Sequence, residues 1–120
     1  MVNIQLKRIY EPAASEDGFR ILVDRLWPRG IKKDNARIDL WAKDITPTTA
    51  LRQACHSGQI SWPDFTQKYH LELLDNPAFD AFIEKILNKK TVTFVFAAKN
   101  TDHNHVKILM DIVMEKVTAS

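Results

Sequence analysis

The stretch Thr91-Val-Thr-Phe-Val-Phe-Ala-Ala98 predicts a β-strand that is buried on both faces. It consists mostly of β-branched and aromatic residues, which strands favour. Apolar side chains on both faces are typical of a strand in a parallel sheet, because helices cover both sides of such a sheet. A polar loop follows from Lys99, and the spacing of the apolar residues after it predicts a final helix over about 103–117.

Two further strands are predicted near the amino-terminal end. Residues 2–9 alternate between apolar and polar side chains over their first six positions, which is the period of a half-buried strand. After turn residues that end at Asp17-Gly18, a second strand with an apolar centre is predicted from Phe19 to Arg25. Arg20 lies in this strand and is expected to point outward into solvent. The Trp27-Pro28-Arg29-Gly30 segment ends the strand, because Pro28 lacks the N–H that a sheet requires.

Helices are predicted between the second and third strands. Thr46-Pro47 is expected to begin one helix, Ser61 to cap a second, and Asn76-Pro77 to begin a third. Strands that alternate with helices indicate parallel strands joined by right-handed crossovers. The sequence therefore predicts an α/β fold in which residues 1–120 form a single small domain, with a three- or four-stranded, mainly parallel sheet flanked by helices.

The composition is that of a folded, soluble domain. Hydrophobic residues make up 45% and charged residues 27% of the 120 residues, and both values are near the average for globular proteins. The single cysteine, Cys55, excludes an internal disulfide and a cysteine-rich zinc site. No apolar run reaches the roughly 18 residues of a membrane helix and no secretory signal is visible, so a cytoplasmic location without a membrane partner is expected.

The arginines are concentrated in the first half of the chain. The net charge is only +2, yet all six arginines lie in the first 52 residues, and five cations against one acid lie between Arg20 and Lys33. A guanidinium group carries a planar set of donors that matches phosphate and carboxylate groups. This segregation favours an anion-binding site, and the alternative is a basic loop that is merely solvated.

Three strand ends carry side chains that suit such a site. Ligands of open parallel sheets bind beyond the carboxyl ends of the strands, so these groups are expected to converge there, next to the N–H groups of the final helix. The predicted ligand-binding residues are Arg8, Arg25, Trp27, Arg29, Lys99, Asn100 and Asn104. Asp24 and His103 are the candidates for catalytic proton transfer.

Each candidate also has a structural interpretation. Asp24 and Arg25 suit an ion pair with each other or with Glu11, and Trp27 suits a core position. Asp102 suits the N-cap of the final helix.

No metal site and no cofactor are predicted. His103 and His105 are two residues apart, so on a helix they point about 200° away from each other, and no third ligand is close in sequence. Cys55 and His56 diverge by about 100° on a helix, which disfavours a nucleophile–base pair and favours Cys55 as a small buried hydrophobe. The sequence also lacks the glycine-rich motifs that cradle nucleoside triphosphates and dinucleotides.

Five segments together resemble the DUF488 family, in its short YeaO-like branch: Lys7-Arg8-Ile9-Tyr10, Asp17-Gly18-Phe19-Arg20, Leu22-Val23-Asp24-Arg25-Leu26-Trp27-Pro28-Arg29-Gly30, Trp41-Ala42-Lys43-Asp44 and Ala97-Ala98-Lys99-Asn100. The resemblance implies a compact α/β domain from bacteria or archaea and brings no agreed substrate or reaction with it. Longer relatives carry a Cys-His-Arg segment after the last strand, where this chain has Asp102-His103-Asn104-His105. Cysteine-based chemistry is therefore not implied.

Three functional hypotheses follow. The first is that the carboxyl edge of the sheet binds a phosphate-bearing or other small anionic ligand, with or without catalysis. The second is a non-catalytic module that binds nucleic acid or a protein through the basic Arg20–Lys33 stretch, although the modest net charge disfavours nucleic acid. The third is structural: the basic stretch orders the 26–45 loop through Asp34, Asp39 and Asp44.

Overall fold

The computed structural model describes residues 2–99 and 104–119, which form a four-stranded parallel sheet flanked by helices. The strands are β1 (Asn3–Arg8), β2 (Phe19–Leu22), β3 (Leu40–Trp41) and β4 (Thr91–Phe96). The α-helices are α1 (Lys33–Ala36), α2 (Thr49–His56), α3 (Trp62–Leu74), α4 (Pro77–Ile86) and α5 (His105–Ala119), and two 3-10 turns cover Ser15–Asp17 and Lys43–Ile45. The predicted α/β fold is confirmed.

The strand order is β1-β4-β2-β3, which places β4 between two neighbours. It pairs in register with β1 from Asn3 opposite Thr91 onward, and with β2 from Phe19 opposite Val92 onward. The centre of β4 is fully buried, as its apolar sequence predicts. Because all the strands are parallel, the segments that follow β2 and β4 leave the sheet side by side at its carboxyl edge.

The sheet is covered on both faces. The larger core packs α3, α4 and α5 against one face. The smaller core contains Ile9, Leu22, Ala36 and Val95, with the indole rings of Trp27 and Trp41 packed against it. Within the described ranges, no helix combines the length and the apolar character needed to cross a bilayer.

Two of the three predicted helix starts are confirmed, and the third is displaced by two residues. Ser61 and Asn76 accept hydrogen bonds from the first turns of α3 and α4. The prediction that Thr46-Pro47 begins a helix is wrong, because the N-cap of α2 is Thr48, whose Oγ1 accepts a hydrogen bond from Leu51 N at 3.3 Å. The Thr46 hydroxyl instead donates to Lys43 O at 2.7 Å and belongs to the preceding 3-10 turn.

The expectation that Arg20 points into solvent is wrong. Its side chain is only 4% exposed, and its guanidinium pairs with the buried Asp17 and donates to Ala36 O at 3.1 and 2.9 Å. Lys7 completes the cluster, 3.0 Å from Asp17 Oδ1. Burial alone would raise the pKa of Asp17, but hydrogen bonds from Ala14 N, Lys7 and Arg20 outweigh it and lower that pKa.

Candidate functional site

A cavity of about 790 Å³ lies at the carboxyl edge of the sheet, between the ends of β2 and β4, the start of α5, and the α2–α3 pair. Its lining residues follow β2 (Asp24, Arg25, Leu26, Trp27, Pro28), precede α2 (Thr46, Pro47), lie on or near α2 and α3 (Arg52, Cys55, His56, Ile60, Trp62, Phe65), follow β4 (Ala97, Ala98, Lys99) and open α5 (Asn104, His105). This is the position that the strand-end rule predicts for a ligand.

The structure brings five of the predicted site residues to this cavity: Asp24, Arg25, Trp27, Lys99 and Asn104. Two others, Asn100 and His103, lie outside the described residues, as does the proposed cap Asp102. The remaining two, Arg8 and Arg29, do not line it.

Asp24 ties the ends of two strands together. Its Oδ2 accepts a hydrogen bond from Ala97 N at 2.9 Å, and its carbonyl oxygen accepts one from Trp41 Nε1 at 2.7 Å. Burial raises the pKa of the Asp24 carboxyl, opposed by the hydrogen bond from Ala97 and the charge of Arg52. The Asp24 carboxylate is therefore positioned by the backbone N–H of Ala97 and not by the suggested ion pair with Arg25 or Glu11.

Arg25 holds the loop before α2. Its Nε donates to Pro47 O at 3.2 Å and its Nη2 donates to Thr46 O at 3.3 Å. These partners follow the 26–45 loop, so the hypothesis that the basic stretch orders that loop does not apply to Arg25. It applies to Arg20, whose guanidinium donates to Ala36 O and whose backbone N donates to Asp39 Oδ2 at 2.8 Å. The Nη1 group of Arg25 has no hydrogen-bond partner within residues 2–99 and 104–119, and Arg25 lines the cavity.

Asn104 caps α5 and leaves one buried donor without an acceptor. Its side chain is 4% exposed, and its Oδ1 accepts a hydrogen bond from Val106 N at 3.0 Å. Because that contact requires an oxygen, the other side-chain atom must be the NH₂ group. This Nδ2 is buried and has no hydrogen-bond partner in the part of the chain that the structure describes.

His105 lines the cavity beside Asn104 and was missed by the sequence reasoning, which favoured His103. Its Nε2 is 2.7 Å from Val23 O, and since a carbonyl only accepts, Nε2 carries the proton. Burial lowers the pKa of His105 to about 4, and the charge of Arg52 adds to this effect. The ring is therefore neutral near pH 7. It packs edge-on against Tyr69, with 6.2 Å between the ring centroids.

The α2 wall of the cavity was also missed. Arg52, Cys55 and His56 line it, at positions i, i+3 and i+4 of one helix face. That spacing was the available signal, but only the adjacent Cys55-His56 pair was considered. Cys55 is half-buried: it packs against the larger core and also lines the cavity.

Arg29 is exposed on the turn that follows β2, next to a tryptophan that is fixed in place. Trp27 Nε1 donates to Ile31 O at 2.7 Å, and its ring meets Trp41 edge-on with 5.5 Å between centroids. Pro28 is buried and Arg29 is exposed. Of the arginines and lysine that were expected to converge, Arg25 and Lys99 therefore line the same cavity, whereas Arg29 does not.

The Arg8 guanidinium binds backbone carbonyl groups of the segment that follows β4. Its guanidinium donates to Ala98 O at 3.2 Å and Ala97 O at 3.0 Å, and lies 5.2 Å from the centre of the Tyr10 ring. It lines a smaller cavity of about 500 Å³, and Asn104 lies on the wall of both cavities.

The charged residues that line the cavity are mostly cations. Three cations, Arg25, Arg52 and Lys99, face one carboxylate, Asp24, so the cavity has an excess of positive charge. Among the residues described, no hydrogen bond joins a nucleophile of the cavity to a base, and no three side chains of the metal-ligating types cluster.

Comparison with known proteins identifies the family. A family profile described as "Inactive DUF488-N3 subclade" (DUF488-N3i) matches residues 3–120. The chain is 46% identical over 110 residues to the uncharacterized protein YeaO of Escherichia coli strain K12, a match that covers 92% of this chain and 96% of YeaO.

More distant relatives come from mycobacteria. The uncharacterized proteins Mb3100c of Mycobacterium bovis and Rv3073c of Mycobacterium tuberculosis H37Rv are each 34% identical over 111 residues, or 92% of this chain and 93% of theirs. No solved structure gives a significant match. On the profile match and these relatives, which bear out the resemblance seen in the strand-end segments, the chain belongs to the DUF488 family, in the group described as its inactive DUF488-N3 subclade.

Proposed function

We propose that this protein binds a small phosphate-bearing ligand in the cavity at the carboxyl edge of its sheet, without converting it. The observation that carries the proposal is the Nδ2 atom of Asn104, which is buried and has no acceptor among residues 2–99 and 104–119, in a residue on the wall of a cavity with surplus positive charge. A ligand oxygen is the group that this donor needs.

The energetics support an anionic ligand. A buried donor without a partner costs about 1–3 kcal/mol, and an acceptor on a ligand would offset that cost. The Nη1 group of Arg25 is a second donor that folding leaves without a partner among the described residues, and Lys99 adds an exposed ammonium group. Charged donors make stronger hydrogen bonds to phosphate than neutral ones do.

The same contacts support binding without turnover. His105 is a weak base, because burial lowers its pKa to about 4 and its Nε2–H is held by Val23 O. Asp24 is held by the backbone of Ala97. The description of the family as inactive agrees with this assignment.

The nucleic-acid alternative has less support. Of the five cations between Arg20 and Lys33, Arg20 is buried in an ion pair and Arg25 is tied to two carbonyl groups. Fewer cations are therefore left on the surface for a row of phosphate contacts.

Alkylation of Cys55 tests the proposal directly. Cys55 is the only cysteine of the chain and lines the cavity, so a bound ligand should slow its reaction with N-ethylmaleimide. We expect inorganic phosphate and pyrophosphate, but not potassium chloride of equal ionic strength, to protect the thiol.

Two variants and one control sharpen this test. Asn104→Asp keeps an oxygen that caps α5 and removes the unpartnered donor, and Lys99→Ala removes an exposed cation at the cavity. Both should lose protection, whereas Lys85→Ala, on the exposed surface of α4, should retain it. Equal alkylation rates with phosphate and chloride, or equal protection in all variants, would overturn the proposal.

A further inference from the structure

We infer that the ligand is a nucleotide, with its phosphate at Arg25, Lys99 and Asn104. Its aromatic base then lies against the apolar part of the lining, which comprises Leu26, Ile60, Trp62 and Phe65. This inference rests on the proposed phosphate binding and adds the chemical class of the ligand. Four features of the cavity support it.

The first feature is size. A volume of about 790 Å³ lies within the range of about 300–1,000 Å³ that is usual for sites of drug-sized ligands. An inorganic phosphate needs only a few converging donors and would leave most of this space unfilled. The ligand therefore extends well beyond its anionic group.

The second feature is Leu26, which lines the cavity although 74% of it is exposed. Its neighbours in sequence hold it in place: Arg25 Nε donates to Pro47 O at 3.2 Å, and Trp27 Nε1 donates to Ile31 O at 2.7 Å. An apolar side chain that is presented to a cavity on a fixed backbone gains stabilisation when a ligand covers it.

The third feature is the aromatic wall that α3 provides. The rings of Trp62 and Phe65 stack with 5.0 Å between centroids and an angle of 14°, and both residues line the cavity together with Ile60. This wall is apolar, whereas the cations follow β2 and β4 or lie on α2. A ligand that matches both regions is anionic in one part and has an apolar ring in another.

The fourth feature is the carboxylate of Asp24. Ala97 N occupies Oδ2, while Oδ1 has no hydrogen-bond partner within the described ranges. A carboxylate repels phosphate, but it accepts hydrogen bonds from hydroxyl and amino groups. A nucleotide carries both, on its sugar and on its base, in addition to the phosphate.

A set of four probes tests the inference in the same Cys55 protection assay and by calorimetry. The probes are inorganic phosphate, ribose 5-phosphate, adenosine and adenosine monophosphate. We expect adenosine monophosphate to bind at least about tenfold more tightly than either ribose 5-phosphate or phosphate, because a base that fills an apolar site contributes at least that factor.

The matched variants are Leu26→Ser at the cavity and Leu71→Ser on α3, where Leu71 is 62% exposed and does not line the cavity. We expect Leu26→Ser to weaken adenosine monophosphate binding about tenfold while phosphate binding stays unchanged, and Leu71→Ser to change neither. Because both leucines are exposed, both variants should fold.

The outcomes separate the two proposals. If phosphate, ribose 5-phosphate and adenosine monophosphate bind equally, or if Leu26→Ser has no effect on adenosine monophosphate, the nucleotide inference is wrong and phosphate binding stands. If none of the phosphate-bearing probes binds, both are wrong.

Discussion

Acidification should destabilise this protein through His105. The ring is partly buried at the start of α5, and its Nε2–H donates to Val23 O at 2.7 Å. Burial lowers its pKa from the ordinary value of 6.5 to about 4, opposed by the hydrogen bond to Val23 and aided by the charge of Arg52. Each pKa unit corresponds to about 1.4 kcal/mol, so the folded state favours the neutral ring by about 3 kcal/mol.

The direction of the pH effect on stability depends on whether the folded or the unfolded state binds the proton more tightly. Below its ordinary pKa of 6.5, His105 becomes protonated in the unfolded chain but stays neutral in the fold, so the free energy of unfolding falls with pH until about 4. From these two pKa values, about 2 kcal/mol of stability should be lost between about pH 7 and about pH 5. Asp24 contributes with the opposite sign, because its raised pKa makes protonation favour the folded state.

Urea denaturation over this pH range, in wild type and in His105→Gln, measures the effect. Glutamine retains a side-chain N–H that can donate to the Val23 carbonyl but does not titrate. The substitution leaves every other ionisable residue of the chain in place, so the difference between the two pH profiles belongs to His105. Parallel profiles would show that His105 does not have a lowered pKa, and they would refute the neutral, weakly basic ring on which the proposal of binding without turnover rests.

Three further predictions concern other positions. Gly18 has φ +63° and a Cβ there would collide with Thr91 O, so Gly18→Ala should lower the free energy of unfolding by about 3 kcal/mol or more. Gly58 has φ +79° with open space around it, so Gly58→Ala should lower it by only about 1 kcal/mol in the same urea titration. Arg20→Met should lose about 3–5 kcal/mol, because it leaves a buried carboxylate poorly paired; a loss below about 0.5 kcal/mol would mean that Arg20 is solvated after all. Asp24→Asn keeps an acceptor for the backbone contact and removes a negative charge, so calorimetry should show inorganic phosphate binding about fivefold more tightly, and a weaker affinity would contradict the repulsion that we assign to this carboxylate.

The fold was predictable where one segment carries its own signal. β4 is apolar on both faces, and Ser61 and Asn76 are local caps, so their structures depend on neighbours in sequence. β3 was not predicted, because two residues, Leu40 and Trp41, give no period to detect. The burial of Arg20 depends on the Ala36 carbonyl, sixteen positions away, and no local pattern encodes that contact.

The site was predictable to the extent that parallel topology determines it. Once β2 and β4 are parallel neighbours, the residues that follow them meet at one edge, and Arg25 and Lys99 reach the cavity for that reason. Arg29 follows the same strand end but leaves the cavity, because the Trp27 indole is fixed to Ile31 O by a turn that the sequence does not specify. The α2 wall depends on how a helix packs over the edge, which strand order alone does not give.

The contacts that build the cavity also determine which atoms remain for a ligand. Asp24 Oδ2, Arg25 Nε and Nη2, Asn104 Oδ1 and His105 Nε2 are all bound to backbone groups, and these bonds join the ends of β2 and β4 to α2 and α5. The side-chain atoms of the cavity that have no hydrogen-bond partner among the described residues are mainly donors, namely Arg25 Nη1 and Asn104 Nδ2. Fixed donors with little side-chain freedom bind an anion at low entropic cost.

Proton transfer instead needs a group whose pKa lies near the working pH. The histidine of the cavity, His105, has a pKa of about 4, because the burial that fixes the ring also lowers its pKa. This arrangement supports the proposal of binding without turnover, since the backbone bonds that orient the donors also occupy the groups that could act as acid and base.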